Sequence, residues 1–557
     1  MSGQGLAPGP DWAEVAHTWT VHRGLDPGGG GGGDASTILG FVRAHLDPSG
    51  CGLLPGGDDL PGGEDDLSRR GGLRWAPGAR DGVASHHAGV GVSDADIGEL
   101  MVLIDSAIGS RPKAAGFDRL YERLRAETAL AIADELVGAV SRSALPRSGV
   151  AGLARRLVTT GRHAEPVKAG IALLGVSGSG QDRDLLLTLG RHEEFTLFCA
   201  VAIRNCQPDP DRVLWSLARS VDGWGRIYAV ERLQGTDDEE IRDWIVRHGF
   251  RNAVMNEYLA WIAATTGGLA DRLGQGDPDD ELVAAAGEII SALISGGPAR
   301  DIDDYPDAPR LLGRFLQLAA ERPPRLERFV VVDDIRGFVR GQDGWSERYQ
   351  RGWTTRLRAE LAVACDQIMS RPEWPALAAR GLLEEDHQLF AAAVRTANSL
   401  GIDTFDAHWR RLLSDPVTGN WQAVMQGAND ERIILVVQLA TDTLDPDGLA
   451  TGPADALGMG PEYAAHNALG FILQDLGRFP GCGWNLVRAG LRNPVIRVRN
   501  MAVRTLRNWP ASHWPAEALQ ALTEAARSEP ADKTRQMMTE TLASATQQGT
   551  EQPNPNQ

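Results

Sequence analysis

The chain has 557 residues, of which 42% are hydrophobic and 6% aromatic, so it is long enough to bury a large core. Its 56 basic and 74 acidic residues give a formal net charge of −18. An acidic surface repels the phosphate backbone, so we expect no nucleic-acid partner. No stretch has the roughly 18 uncharged apolar residues of a membrane-spanning helix, so we also expect no insertion into a membrane.

The cysteines and the first residues indicate a reducing compartment. Five cysteines are too few and too scattered for a disulfide framework or a Cys-rich zinc site. They are Cys51, Cys199, Cys206, Cys365 and Cys482. Cys199 and Cys206, seven residues apart, sit in an apolar stretch, and we interpret them as buried thiols. Residues 1–5 show neither the basic nor the apolar region of a secretory signal. The prediction is a cytoplasmic protein.

Residues 1–92 are predicted to form an irregular N-terminal segment. A helix is expected over 11–21, and the six glycines Gly28–Gly33 that follow it are typical of a flexible linker. Asp34 or Ser36 can cap a second helix that ends near Leu46. From 47 to 91 the chain is crowded with Gly, Pro and Asp, which predicts irregular, mostly exposed loops.

From 93 onward the pattern is one of amphipathic helices, each of ~10–20 residues, separated by short Gly, Pro or Asp breaks. The most strand-like run, 433–439, is assigned to a helix that begins near Trp421. A Gly/Pro/Ala loop over 445–460 separates two blocks. We therefore predict a helical array over 93–445, a C-terminal block over 446–547 and a disordered polar tail over 548–557.

Internal repetition organises these helices. Asn493-Pro494 is followed by Val498-Arg499, Ala502 and Leu506. In this spacing the proline sets the bend between paired helices, valine and leucine face the core, and the arginine bridges to an acidic or amide side chain of the next unit. The pattern resembles that of HEAT and armadillo-type repeat proteins. The resemblance implies a right-handed α-solenoid of HEAT-like helix pairs.

A related spacing recurs earlier in the chain. Arg226 and Leu233 follow a turn at Asp222-Gly223, and looser copies lie on either side. Anchor positions at 168, 197, 226 and 251 are 29, 29 and 25 residues apart. That period suits a two-helix repeat in which each unit buries its apolar face against its neighbours. The predicted fold class is all-α, a solenoid with an irregular N-terminal segment.

One stretch of this array combines aromatic and polar side chains. Its members are Trp224, Arg226, Tyr228, Arg251, Asn252, Asn256, Glu257 and Tyr258. Asparagine is a poor mid-helix residue, and Asn252 and Asn256, at i and i+4, are expected to share one helix face. Two interpretations are open. The residues form either a hydrogen-bond ladder between repeats or a polar, aromatic pocket on the inner surface, where solenoids bind partners.

A metal site is the second candidate. His45-Leu46-Asp47 has the His-x-Asp spacing of a non-haem iron facial triad, and His86-His87 could supply a third ligand. The alternative interpretation assigns His45, Asp47, His86 and His87 to loops and helix caps.

The glycine-rich run Gly175–Gly180 lacks the lysine of a phosphate-binding loop, so we interpret it as a connector between helices.

A second resemblance concerns the aromatic stretch. Its segments Gly223–Leu233, Arg251-Asn252 and Asn256–Ala260, with Gly71–Gly78 and His86-His87, are similar to a group of bacterial proteins. Some members of that group carry the label limonene hydroxylase. A hydroxylase needs haem, flavin or non-haem iron, and the sequence offers neither a dinucleotide fingerprint nor a cysteine in a haem-ligand context. We expect no cofactor.

Two hypotheses for the function come from different classes. The first is a cytoplasmic HEAT-repeat scaffold or adaptor that binds a protein or peptide on its concave face. The alternative is an enzyme, such as a metal-dependent hydroxylase, with its site on the inner face of the solenoid or in the histidine-containing N-terminal loops. Fold alone does not decide between them.

Overall fold

A computed structural model describes residues 37–61, 75–88, 96–109 and 114–550 of the chain. Within these residues the secondary structure is helical, apart from turns and two isolated β-bridges, Leu46 to Leu53 and Ala456 to Val495. The prediction of an all-α chain is confirmed for this part. The predicted helix over 11–21, the Gly28–Gly33 run and residues 551–557 of the predicted tail lie outside the described residues.

The chain divides into two compact units, Met1–Arg371 and Pro372–Gln557. In the described part of the first unit the α-helices are α1 (Ile38–Ala44), α2 (Ala79–Val83), α3 (Ile97–Ile108), α4 (Ala114–Ala126), α5 (Ala129–Arg142), α6 (Arg147–Thr160), α7 (Ala164–Ser177), α8 (Arg183–Gly190), α9 (Glu193–Cys206), α10 (Pro210–Ala218), α11 (Gly223–Glu231), α12 (Glu239–Trp244), α13 (Glu257–Thr266), α14 (Leu269–Gly274), α15 (Asp280–Ser295), α16 (Ala308–Glu321), α17 (Leu326–Arg340), α18 (Trp345–Arg348) and α19 (Thr355–Met369).

Most helices of the first unit stack in two rows. Helices α7, α9, α11, α13, α15, α17 and α19 each pack against the next in that series, and we call them the odd row. Helices α8, α10, α14 and α16 form a second layer, with α8 and α10 against α9, α14 against α13, and α16 against α15. A helix with one apolar stripe must bury that stripe against another element. Stacking neighbour on neighbour does so along the whole series, which confirms the predicted solenoid in this unit.

Three of the four repeat anchors predicted from the sequence lie on helices of the odd row. Lys168 lies on α7, Leu197 on α9 and Arg226 on α11. The fourth anchor, Arg251, lies in the loop before α13. The period of 29 residues therefore describes three successive pairs, and the shorter last interval marks the loop.

A short helical segment lies across the odd row. Residues 75–88 contain α2 and a π turn over Ala84–Ala88, and we call them the strap. Its contacts run from helix to helix: Gly78 meets α9, Asp81 meets α7, His86 meets α11 and His87 meets α13. The sequence predicted irregular, exposed loops here, and that prediction is wrong. The strap is helical because four helices far away in sequence supply its partners.

The second unit repeats the pattern of stacked helices. Its α-helices, within the described residues, are α20 (Trp374–Gly381), α21 (His387–Ser399), α22 (Phe405–Ser414), α23 (Trp421–Gln426), α24 (Arg432–Leu444), α25 (Pro446–Leu449), α26 (Ala464–Leu476), α27 (Trp484–Leu491), α28 (Ile496–Asn508), α29 (Ala518–Ser528) and α30 (Asp532–Thr550). Helices α26, α28 and α30 pack in series, and α27 packs on α29.

Arg499 joins neighbouring helix pairs in this unit. Its guanidinium donates to both carboxylate oxygens of Glu529, at 2.6 and 2.7 Å, and both side chains are fully buried. It also donates to the backbone carbonyls of Asn493 and Pro494, at 2.8 and 2.9 Å. The predicted bridge from this arginine to an acidic side chain is confirmed.

Several boundaries differ from those read in the sequence. Residues 433–439 are helical as expected, but α24 begins at Arg432 and not near Trp421, because Asn429 accepts hydrogen bonds from the backbone of residues 431 and 432 and starts a new helix. The structure divides after Arg371, whereas the predicted boundaries were at 92 and 445. Helix α30 extends to Thr550, past the predicted start of the tail. No helix in the described residues is both long and apolar enough to cross a lipid bilayer.

The buried pair on α28 gives a stability prediction. Arg499→Ala leaves the carboxylate of Glu529 buried without its cation, which should lower the free energy of unfolding by about 3–5 kcal/mol. Arg488→Ala is the matched control, because that arginine is exposed and lies 3.5 Å from an exposed aspartate, Asp447. Urea denaturation followed by circular dichroism measures both. Equal midpoints for the two variants would contradict the assigned role of Arg499.

Candidate binding site on the odd row

The strap is anchored by a buried lysine. Lys168, in the middle of α7, donates from its Nζ to Asp81 of the strap at 2.7 Å and to Glu194 of α9 at 2.6 Å. Its side chain is 2% exposed. Glu194 also accepts from the backbone N–H of Gly78, at 3.1 Å, so it binds the strap a second time. Three elements thus meet at one ammonium group.

The electrostatics of this anchor favour a charged lysine. Burial by itself lowers the pKa of Lys168, but the charges of Glu194, Asp81 and Glu165 outweigh it and raise the pKa above its ordinary value. Glu165 is buried and accepts from the backbone N–H of Ala129 at 2.6 Å, which holds it at the start of α5. A compact ammonium turns its three donors toward acceptors out of one plane, whereas the larger guanidinium of arginine holds its donors in a plane. That geometry explains why position 168 holds a lysine, although the chain has only three lysines.

A second carboxyl lies where α9 meets α11. Glu193, the first residue of α9, lies against the first turn of α11. Burial raises the pKa of Glu193 to about 8, although the backbone N–H groups of Gly225 and Trp224 favour its charged form. Gly223 has φ of +49°, and a Cβ there would lie 2.8 Å from a carboxyl oxygen of Glu193. The positive φ favours glycine at this turn, and any side chain there would also displace the carboxyl group of Glu193.

Three aromatic rings surround the imidazole of His86. The ring centroid of His86 lies 5.2 Å from that of Tyr258, 5.4 Å from Trp224 and 6.1 Å from Tyr228. Trp224 and Tyr258 are themselves 5.2 Å apart, and each of the three rings is at most 5% exposed. These spacings are typical of aromatic contacts in protein cores. We call Trp224, Tyr228 and Tyr258, with Glu231 at their edge, the aromatic box.

Both nitrogens of His86 face oxygen atoms. Its Nε2 lies 2.8 Å from a carboxylate oxygen of Glu231, and its Nδ1 lies 3.1 Å from the carbonyl oxygen of Gly82. Burial lowers the pKa of His86, but the hydrogen bond to Glu231 and its charge raise it more. The hydroxyl of Ser85 also lies 2.9 Å from Nδ1, and a protonated imidazolium can donate both to Glu231 and to the carbonyl of Gly82.

The strap follows the odd row closely at two more points. A Cβ on Gly82 would overlap the indole ring of Trp224, so the backbone of α2 lies directly against that ring. One turn later, His87 shares a short hydrogen bond with the hydroxyl of Tyr258. Burial raises the pKa of Tyr258 to about 12, so this hydroxyl keeps its proton near neutral pH. The π turn therefore lets two consecutive histidines of the strap contact two different helices, α11 and α13.

The residues predicted as a binding site divide into two groups. Trp224, Tyr228 and Tyr258 come together in the aromatic box. Arg226 and Arg251 do not reach it. Arg226 donates to the carbonyls of Val221 and Arg251, and Arg251 donates to both oxygens of Glu288 on α15. Glu257 opens α13 as the acidic residue of its first turn.

The predicted helical face of Asn252 and Asn256 is wrong. Both residues precede α13, in the loop that follows the π turn Ile245–Gly249. Asn252 accepts from the backbone N–H groups of Val254 and Met255, at 2.9 and 2.8 Å. Asn256 in turn accepts from the backbone N–H of Asn252 at 3.2 Å. Asparagine side chains compete for backbone hydrogen bonds, and here they close a loop.

The four predicted metal ligands do not form one cluster. His45 Nδ1 lies 2.9 Å from the carbonyl oxygen of Phe41, and Asp47 accepts from the backbone of Ser49. His86 and His87 instead contact Glu231 and Tyr258. In the part of the chain that the structure describes, no group of three or more His, Cys, Asp or Glu side chains is placed to hold a metal ion.

Sequence reasoning missed the charged half of the site. Asp81, Lys168, Glu194 and Glu231 were not predicted, although Lys168 is one of three lysines in an arginine-rich chain. A rare lysine at a repeat position next to buried apolar residues was the available signal. Asp81 gave none, because it lies among many other Asp and Gly residues.

Comparisons with known proteins add no evidence on the fold beyond the packing of the helices. No protein-family model matches the chain, and no curated protein matches it. Among solved structures it is similar to a circular tandem repeat protein with novel repeat topology and enhanced subunit contact surfaces. The identity is 15%, over 81% of this chain and 95% of that one, and the TM-score is 0.12. A likeness at that score carries no argument.

Lys168 yields a second prediction. Lys168→Met leaves buried carboxylates without their cation, so the free energy of unfolding should fall by about 3–5 kcal/mol and the strap should detach. Lys168→Arg should also release the strap, because the guanidinium cannot occupy the same position. Hydrogen exchange of amides 78–88 reports release directly. The control is Lys533→Met, because Lys533 is exposed. If the strap amides are equally protected in Lys168→Met and in this control, Lys168 does not anchor the strap.

Glu193 yields a pH prediction. Its pKa of about 8 in the folded protein lies above the ordinary value of 4.5, so folding favours its protonated form. This contribution to stability is complete below pH 4.5 and is lost as the pH rises through 8, at about 1.4 kcal/mol for each unit of pKa difference. Glu193→Gln should flatten the dependence of thermal stability on pH between 5 and 9. The control is Glu327→Gln, an exposed residue of α17. Parallel curves for Glu193→Gln and wild type would contradict the prediction.

Proposed function

We propose that this protein is a cytoplasmic HEAT-type scaffold or adaptor that binds a protein or peptide segment across the odd row, at α7, α9, α11 and α13. One observation supports it above the others. The same helices already bind a short helical segment, the strap, which is distant from them in sequence. A surface that binds one helix of the chain has the shape and the polar groups to bind another.

The contacts of the strap define what such a surface recognises. Lys168 binds the carboxylate of Asp81, Glu194 accepts from the backbone N–H of Gly78, and the aromatic box surrounds the side chain five residues after Asp81. Because these groups sit on successive helices of a stack, a linear segment running along the stack meets them in turn. Helix-in-groove recognition works in this way, with side chains at i, i+4 and beyond as anchors.

Solenoids commonly use such a surface for partners, and the net charge of −18 disfavours nucleic acid in that role. Of the residues first expected to bind, Trp224, Tyr228 and Tyr258 keep that role in this proposal. Arg226, Arg251, Asn252, Asn256 and Glu257 are assigned to shaping the loop and the repeat junction around them. We propose no cofactor.

The test is binding of the strap in trans. Gly82→Leu places a side chain against the ring of Trp224, so the full-length variant should expose the surface that the strap covers. A fluorescein-labelled peptide of residues 75–88 should then bind this variant saturably in fluorescence anisotropy, at least about tenfold more tightly than it binds wild type.

Two controls make the result specific. The same peptide carrying Gly82→Leu should not bind, because it cannot lie against the indole. The variant Gly152→Leu, at a helical glycine with open space around it, should behave as wild type. If the native peptide binds none of the proteins, or if both peptides bind equally, the odd row is not a peptide-binding surface and the proposal fails.

A further inference from the structure

The aromatic box has the composition of a cation-binding site. Cations are attracted to the faces of aromatic rings, with tryptophan the best, and recognition of alkylammonium groups by several rings uses this attraction. In this protein three rings and one carboxylate converge on a single small volume. The group that fills it is His86, whose imidazole has an oxygen acceptor at each nitrogen.

We propose that the aromatic box is a receptor for an alkylammonium group, the side chain of a lysine or methylated lysine in the partner, and that His86 occupies it in the unbound protein. This inference rests on the proposed function and adds the chemistry of the partner. The strap is then a self-ligand, and a partner replaces His86 with its own cation.

The geometry of the box favours an ammonium over a neutral side chain. The centroids of Trp224 and Tyr258 lie within 5.4 Å of the centre of the occupying ring, inside the range of about 6 Å for cation–π attraction. Glu231, whose side chain is 27% exposed, adds a formal negative charge at the edge of the box. A neutral apolar group would gain contact with the rings but lose the hydrogen bond to Oε1 of Glu231, whose other oxygen pairs with Arg232.

The position of the box on the fold favours a side chain over a buried cofactor. Glu231 is the last residue of α11 and is partly exposed, and His87 beside the box is exposed, so this edge of the box borders solvent next to the strap. Arg232 follows directly and donates to Glu231 at 2.8 Å and to the carbonyl of Tyr228 at 3.2 Å. It therefore holds the carboxylate at the edge of the rings without entering the box.

The first experiment exchanges the occupant in cis. His86→Lys places an alkylammonium in the box and should keep the strap docked, with amides 78–88 protected from hydrogen exchange to within about threefold of wild type. His86→Met, a neutral side chain of similar length, should lose protection by about tenfold or more, as expected for a loss near 1.4 kcal/mol. Glu231→Gln should abolish the difference between the two. Equal protection in His86→Lys and His86→Met would overturn the proposal.

The second experiment fills the box in trans. His86→Ala removes the imidazole, and tetramethylammonium should bind the resulting space with at least about tenfold higher affinity than tert-butanol, its neutral counterpart of similar shape, in ligand-observed NMR. Tetramethylammonium should bind wild type, His513→Ala and the double variant His86→Ala/Glu231→Gln at least tenfold more weakly. His513 is an exposed histidine of the second unit and gives the matched control. Equal affinity for the cation and the alcohol would overturn the proposal.

A peptide arm separates this inference from the proposed function. A peptide of strap sequence with trimethyl-lysine at position 86 should bind the double variant Gly82→Leu/His86→Ala, whose own strap is released, more tightly than tetramethylammonium binds it, because the odd row adds its other contacts. If peptide and ion bind equally, the box is a cation site and the surface around it does not bind peptides. If the unmodified strap peptide binds to Gly82→Leu but tetramethylammonium does not bind to His86→Ala, the scaffold stands and the cation site is refuted.

Discussion

The ammonium group of Lys168 brings three distant parts of the chain to one point: the strap through Asp81, the first turn of α9 through Glu194, and, through the charge of Glu165, the start of α5. A buried charge is costly unless it is paired, so these carboxylates and the lysine hold one another in place. The other contacts of the strap depend on this ion-pair cluster, because it holds the strap against α7 and α9. With Asp81 held by Lys168, the strap backbone lies against Trp224, and the two histidines reach α11 and α13.

The odd row supplies the second constraint. Stacked helices present their side chains at regular intervals, and a segment that crosses the stack meets one helix after another. Helices of the odd row pack directly on one another, and the fourteen residues of the strap touch four of them. The π turn adds one residue to the local turn, and such turns are frequent at functional sites. Here it allows His86 and His87 to reach different helices.

The sequence predicted the scaffold well and the site in part. Regular spacing of Lys168, Leu197 and Arg226 reflects packing that repeats, so period and fold class could be read directly. The spacing around Arg499 also carried its bridge to Glu529. Trp224, Tyr228 and Tyr258 stood out as aromatic residues near polar breaks. Contacts across 87 to 171 residues, such as Lys168 with Asp81 and Tyr258 with His87, have no local signal. Asn252 and Asn256 were placed on a helix because spacing alone does not show that their amides close a loop.

The order of synthesis has a consequence for the strap. Its partners on α7, α9, α11 and α13 are made after it, and the last of them, Tyr258, lies 171 residues downstream of His87. A stack of helices can begin to fold as each pair leaves the ribosome, since each pair needs only its neighbours. The strap cannot, because its binding surface does not yet exist. Until α13 has been made, the nascent chain exposes the strap and those helices of the odd row that have already folded, so a protein that binds either one meets it uncovered during translation.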